Sequence, residues 1–139
     1  MRYESTVVID APPSRVWEVF SDVARWPEWT PTVDTLDLLD PGPLRVGSRA
    51  RIRQPRLPVA VWRVTEVVDG RRFTWVSGGP GLRTAGVHEV EAAPGGTRAR
   101  LVIEQTGPLA PLVNLLAGKL TRRYLDQEGQ GLKARSERP

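Results

Sequence analysis

The repeat of apolar residues changes period once along this chain, and that change constrains the fold more than any other feature. From Val33 to Gln105 the apolar residues alternate with polar ones between turn signals. From Pro108 to about Ser136, Leu109, Leu112, Val113, Leu116, Leu120 and Tyr124 recur at spacings of three and four. Period two places side chains on alternate faces of a strand, and spacings of three and four place them on one face of a helix. The chain therefore reads as a block of strands closed by one amphipathic helix of about seven turns. Arg122, Arg123, Lys133 and Arg135 lie off or beyond its stripe. Gly118, Gly129 and Gly131 weaken that helix by roughly 1 kcal/mol each relative to alanine. They imply close approach, a kink, or room left for something else.

The strands are punctuated clearly. SRARIRQ, residues 48 to 54, puts Arg49, Arg51 and Arg53 on one face and Ala50, Ile52 and Gln54 on the other. Such a strand is half buried. VAVWRVTEVV aligns Ala60, Trp62 and Val64, and RRFTWVS aligns Phe73 and Trp75. TAGVHEVEA aligns Gly86, His88 and Val90, and TRARLVIEQ aligns Ala99, Leu101, Ile103 and Gln105. Asp69-Gly70 and Pro94-Gly95-Gly96 are hairpin signals. YESTVVI, residues 3 to 9, reads as a further strand at the N-terminus. A helix follows to about residue 22, with Asp10 or Ser14 as its cap and Val16, Trp17 and Phe20 as its apolar stripe. The order is strand, two short helices, six strands and one long helix, an α+β architecture with helices segregated to one face of an antiparallel sheet.

Composition removes several function classes. The 139 residues suit one domain, residues 1 to 139. No apolar run reaches the roughly 18 residues that span a bilayer, and the N-terminus shows no signal-peptide core, so a cytoplasmic protein is expected. The absence of cysteine excludes thiolate chemistry and disulfides. One histidine leaves carboxylates as the metal ligands, and Asp34, Asp37 and Asp40 alternate faces without a calcium-loop glycine, so no metal is expected. Phosphate-loop, dinucleotide and nucleophile-elbow motifs are absent, and no cofactor is expected. The net charge is +4, with 20 basic residues scattered along the chain. Nucleic-acid binding would need exposed aromatics beside the Arg49, Arg51, Arg53 and Arg56 stripe. The alternation puts the tryptophans on the opposite faces, so no nucleic-acid partner is expected.

SDVARWPEWTP, residues 21 to 31, holds Trp26 and Trp29 between Pro27 and Pro31. It reads as a stiffened turn presenting aromatic surface, either to the core or to a bound apolar molecule. With IDAPPSRVWEVFSDVARWPEW near the start, GTRARLVIEQ as the last strand and a final helix ending GLKARSE, the whole chain resembles the START-like helix-grip superfamily. The polyketide cyclase/dehydrase type of SRPBCC protein is the branch it resembles most. The resemblance implies a curved seven-stranded antiparallel sheet wrapped around the long C-terminal helix. It also implies two short helices after the first strand and an internal hydrophobic cavity, with Trp26 and Trp29 near its mouth. It does not fix an activity.

The more apolar face of each strand, taken as the cavity face, gives a mostly aromatic and aliphatic wall with few polar groups. The candidate ligand-binding residues are Trp26, Trp29, Gln54, Trp62, Phe73, Trp75, His88, Ile103, Gln105, Leu112, Leu116 and Leu120, with Tyr124 a further polar candidate. His88 and Gln105 are the candidates for chemistry: an imidazole of ordinary pKa near 6.5 suits acid–base work, and an amide orients a carbonyl or hydroxyl. The preferred alternative for His88 is a hydrogen-bonded core or rim residue with no catalytic role, and Gln54 and Gln105 can instead satisfy one another or the backbone. Three functions follow. The first is binding of a small hydrophobic ligand such as a lipid, an isoprenoid or a polyketide-like aromatic. The second is a cyclase, aromatase or dehydratase using the same cavity. The third is a protein-interaction module using the basic sheet face. Either a monomer or a homodimer fits.

Overall fold

The computed structural model describes residues 1–138. Seven antiparallel strands form one sheet in the order β1-β7-β6-β5-β4-β3-β2. They are β1 (Arg2–Ile9), β2 (Thr35–Leu38), β3 (Arg49–Arg53), β4 (Ala60–Val68), β5 (Arg72–Gly79), β6 (Leu82–Ala93) and β7 (Gly96–Thr106). Helix α1 (Pro13–Ser21) and a 3-10 helix (Val23–Glu28) follow β1, and helix α2 (Ala110–Ser136) closes the chain. The helix-grip architecture implied by the sequence is the one observed. Among the described residues no helix is long and apolar enough to cross a membrane.

The start of α1 differs from expectation. Neither Asp10 nor Ser14 caps it. Pro12 holds the cap position in an extended conformation, with φ −67° and ψ 152°, and no side chain bonds the first turn. Two consecutive prolines account for this. Pro13 lacks the amide that a cap would satisfy, and the Pro12 carbonyl accepts from the amides of Arg15 and Val16. The Asp10 amide instead donates to Glu137 Oε2 at 2.8 Å, tying the end of β1 to the end of α2.

The outer sheet face carries the arginines. Arg49, Arg51, Arg53 and Arg63 are exposed. Several outer arginines pair with carboxylates of neighbouring strands: Arg72 with Glu66, Arg98 with Glu91, and Arg100 with both Glu89 and Glu4. Such exposed pairs contribute about 0–1 kcal/mol each. The inner face supplies the core. A register shift between Val64 and Glu66 bulges β4, so that Val64 stands opposite Trp75 and Val67 opposite Phe73. A bulge of this kind increases local twist and helps the sheet curl.

The buried stripe of α2 lies further along than the leucine spacing suggested. Tyr124, Leu125, Glu128, Gly129, Leu132 and Ser136 are buried, whereas Leu109 and Leu112 are exposed and Leu115 and Leu116 are 79% and 77% exposed. The C-terminal half of α2 packs into the sheet. The N-terminal half touches it at one edge, where Tyr3 Oη bonds Asn114 Oδ1. The glycines permit close approach. A Cβ on Gly131 would stand 2.1 Å from the Trp29 carbonyl oxygen, and one on Gly118 would stand 3.0 Å from Tyr3 Oη.

Candidate functional site

A cavity of about 450 Å³ opens between the sheet and α2. Its volume falls within the roughly 300–1,000 Å³ of small-molecule sites. The β3–β4 loop supplies Gln54, Leu57, Pro58 and Val59, and β4 supplies Ala60 and Trp62. Strands β5 and β6 supply Ser77, Gly78, Leu82 and Thr84, and β7 supplies Ile103 and Gln105. The helix closes it with Val113, Leu116, Ala117, Thr121, Tyr124, Leu125 and Glu128. Val59 and Leu116 lie on the wall and are also largely solvent-exposed, which marks the mouth. The Tyr124 hydroxyl donates to the Pro55 carbonyl and ties the helix to the rim loop. In that loop Arg56 adopts φ 66°, a left-handed conformation unfavourable for a residue with a Cβ.

The candidates from the sequence divide into two groups. Gln54, Trp62, Ile103, Gln105 and Leu116 line this cavity. Trp26, Phe73, Trp75 and His88 lie beneath it in an aromatic core. His88 stacks on Phe73 with ring centroids 4.1 Å apart and meets Phe20, Trp26 and Trp75 at 5.3 Å each. Trp26 donates its Nε1 proton to the Phe20 carbonyl at 3.0 Å. Trp29 borders a separate outer crevice with Arg15, Glu18, Asp22, Arg25 and Arg135. Leu112 and Leu120 are on α2 but outside the cavity wall, because the helix presents Val113, Ala117, Thr121 and Tyr124 there instead. The stiffened segment of residues 21 to 31 therefore drives one tryptophan into the core and sets the other against Gly131.

Burial decides the protonation of His88. Its ring is 5% exposed, and burial pushes its pKa down to about 3 against a weaker opposing effect of the Phe73 carbonyl. The Phe73 carbonyl lies 3.2 Å from Nδ1. A neutral imidazole locked among rings is a core group, and it stands outside the cavity wall.

Glu128 is the functional candidate that the sequence reading passed over. It is 9% exposed, and burial pushes its pKa up to about 7. Thr32 Oγ1 donates to its Oε1 at 3.2 Å and opposes that rise; burial and this bond are the two influences on it. Its other oxygen, Oε2, accepts no hydrogen bond among the described residues. A signal was present in the sequence: Glu128 follows Tyr124 by four residues and Leu125 by three, on the buried face of the helix. A carboxylate at such a position is rarely left buried without a partner.

Two further polar groups on the wall lack partners. Trp62 Nε1, a donor, and Gln105 Oε1, an acceptor, are buried without a hydrogen bond among the described residues. Buried polar groups are ordinarily satisfied. The wall thus combines aliphatic and aromatic surface with one free donor, one free acceptor and one carboxyl group poised near neutrality. Among the described residues no cluster of histidine and carboxylate side chains could hold a metal ion.

Comparison with known proteins agrees with this architecture. A model of the polyketide cyclase / dehydrase and lipid transport family matches residues 1–137. A hypothetical protein of Helicobacter pylori is similar in structure, with a TM-score of 0.84 at 15% identity over 99% of this chain and 88% of that one. An aromatase/cyclase from a Streptomyces species gives 0.81 at 16% identity, over 99% and 94% of the two chains. A Thermus thermophilus protein gives 0.77 at 22% identity, over 98% and 97%. At these identities the likeness establishes the fold alone. No curated protein sequence matches the chain.

Proposed function

We propose that this chain, which belongs to the polyketide cyclase / dehydrase and lipid transport family, binds a small hydrophobic molecule between its sheet and α2. The observation that carries the reading is the cavity of about 450 Å³, apolar on most of its wall but bearing an unpartnered Trp62 N–H and Gln105 carbonyl. An apolar molecule with one acceptor and one donor would satisfy both groups while covering the aliphatic wall. Lipids, isoprenoids and polyketide-like aromatics meet that description. A small-molecule partner rather than nucleic acid is supported by the strand alternation, which puts exposed Arg49, Arg51 and Arg53 on the outer sheet face and the neighbouring Trp62 and Trp75 on the inner one.

Native mass spectrometry of the purified protein tests this directly, followed by tryptophan-fluorescence titration with fatty acids, isoprenoids and aromatic polyketides. A co-purifying mass, or a saturable response lost in Trp62→Ala, supports the reading. No adduct and no response across the panel would overturn it. A second reading, a cyclase, aromatase or dehydratase, is favoured by one specific observation: a carboxyl group in the wall whose pKa lies near 7.

A further inference from the structure

Two titratable side chains line the cavity, Tyr124 and Glu128. Tyr124 gives its hydroxyl proton to Pro55. Away from the cavity wall, Arg15 and Glu18 of α1, Glu4 of β1, and Glu89 of β6 with Arg100 of β7 are in ion pairs. Glu128 faces the cavity and, among the described residues, has Thr32 as its one hydrogen-bond donor and no cation beside it. Purely structural use would leave a costly group where leucine or glutamine would serve. A carboxyl group held in an apolar site with a pKa near the working pH is instead suited to proton transfer.

We propose that Glu128 exchanges protons with a bound ligand, and that the ligand is an apolar, enolisable ketone that also carries a hydroxyl group. This rests on the cavity being a ligand site. In the step, the Glu128 carboxylate removes a proton from the carbon beside the ketone. The C–H electron pair becomes the C=C bond of an enolate, and the C=O π pair moves onto oxygen. Trp62 Nε1–H, which has no acceptor among the described residues, is the donor available to that oxygen. Gln105 Oε1, which has no donor, is the acceptor available to the hydroxyl. Return of the proton restores the ketone, so no oxidant, reductant or further reactant is consumed. Between turnovers the carboxyl group exchanges its proton with solvent through the mouth at Val59 and Leu116.

The probe is 6-hydroxy-2-tetralone in deuterium oxide. Binding is read by tryptophan fluorescence, and deuterium uptake beside the ketone by proton NMR. The wild-type protein is expected to bind the probe and to raise uptake about 100-fold over buffer, with a rate that climbs through neutral pH and then levels. Glu128→Gln, matched in size and checked by circular dichroism, is expected to bind the probe and return uptake to near the buffer rate. Uptake as fast in the variant as in the wild type overturns the proposal, as does wild-type binding without uptake. Failure of the probe to bind overturns the ligand class, and a saturable fatty-acid response in the same assay would leave the cavity reading standing. Should Glu128→Gln unfold, Glu128→Asp decides. It keeps the carboxyl group but withdraws it by one methylene, and a loss of roughly 10- to 100-fold is expected. An unchanged rate in that variant overturns the proposal.

Discussion

Thr32 Oγ1 donates a hydrogen bond to Glu128 Oε1 at 3.2 Å, and the same hydroxyl lies 2.9 Å from Thr30 Oγ1. All three side chains are buried. The segment after the 3-10 helix therefore supports a carboxyl group on α2 through two hydroxyls, far apart in sequence but adjacent in the fold. Thr32 is the influence that lowers the pKa of Glu128 against burial. Thr32→Val removes that bond with little change in shape, at a cost of about 1 kcal/mol. The Glu128 pKa should then rise above its present value near 7. Carbon-13 NMR titration of the glutamate carboxyls checks this; an unmoved or lowered midpoint would show that Thr32 does not tune the group.

Glu128 also makes stability depend on pH. Its folded pKa of about 7 exceeds the unfolded value of 4.5. Its contribution is fully present below pH 4.5, declines as the unfolded chain alone releases the proton, and is gone above about pH 7. The loss across that window is on the order of 3 kcal/mol. Glu128→Gln, which cannot ionise, should leave stability little changed at pH 4 and raise it at pH 8. Thermal melts at the two pH values test the sign.

His88 acts in the opposite direction. Its folded pKa of about 3 lies below the ordinary 6.5, so its contribution is present above pH 6.5 and is lost as pH falls toward 3. Its uncompensated loss falls between about pH 4.5 and 3, below the range in which Glu128 opposes it. His88→Leu fills the same aromatic niche without a titrating group, and should broaden the stable range on the acid side. A variant that unfolds at the same acid midpoint as the wild type would exclude this cause. Between pH 4.5 and 6.5 the two groups slope in opposite directions and largely offset one another.

The contact of Gly131 with Trp29 makes a sharper structural prediction. A methyl group at position 131 would meet the Trp29 carbonyl oxygen at 2.1 Å, and backbone on one side and a helix on the other leave little room to yield. Helix propensity alone favours Gly131→Ala by roughly 1 kcal/mol. Overpacking should reverse that sign and cost about 1–3 kcal/mol net. Denaturant unfolding measures it, and a stabilised variant would refute the close approach.

Much of this was legible in the sequence because the signals were local. Strict alternation in residues 48 to 54 gave the faces of Ala50, Ile52 and Gln54, and the pairing of Ala50 with Trp62 and of Ile52 with Ala60 follows the same faces. Depth along a face was not legible. Trp62 and Trp75 share the inner face with rings 5.8 Å apart, yet one lines the cavity and the other lies beneath it. Alternation reports which way a side chain points, and not what covers it. The helix failed for a similar reason. Spacing identified an apolar stripe in its first half, where the sheet supplies few partners, and overlooked Glu128, because a carboxylate is ordinarily assigned to solvent. Trp26 and Trp29 were a question that composition could pose and only packing could answer.

The tryptophans themselves separate fold from function. Trp26 is 2% exposed and packs on Phe20, Phe73, Trp75 and His88. Trp26→Ala should therefore cost about 3–5 kcal/mol whatever the cavity holds. Trp62 lines the cavity, is only partly buried and has an unpartnered Nε1. Trp62→Phe deletes that donor and retains most of the apolar surface, so stability should change by less than about 1.5 kcal/mol. If a bound ligand accepts a hydrogen bond from Nε1, its affinity should fall by roughly tenfold, equivalent to about 1.4 kcal/mol. Isothermal titration with a ketone or alcohol ligand, beside a hydrocarbon of the same size, isolates the effect. The polar ligand should lose affinity and the hydrocarbon should not; equal losses would assign Trp62 to packing alone.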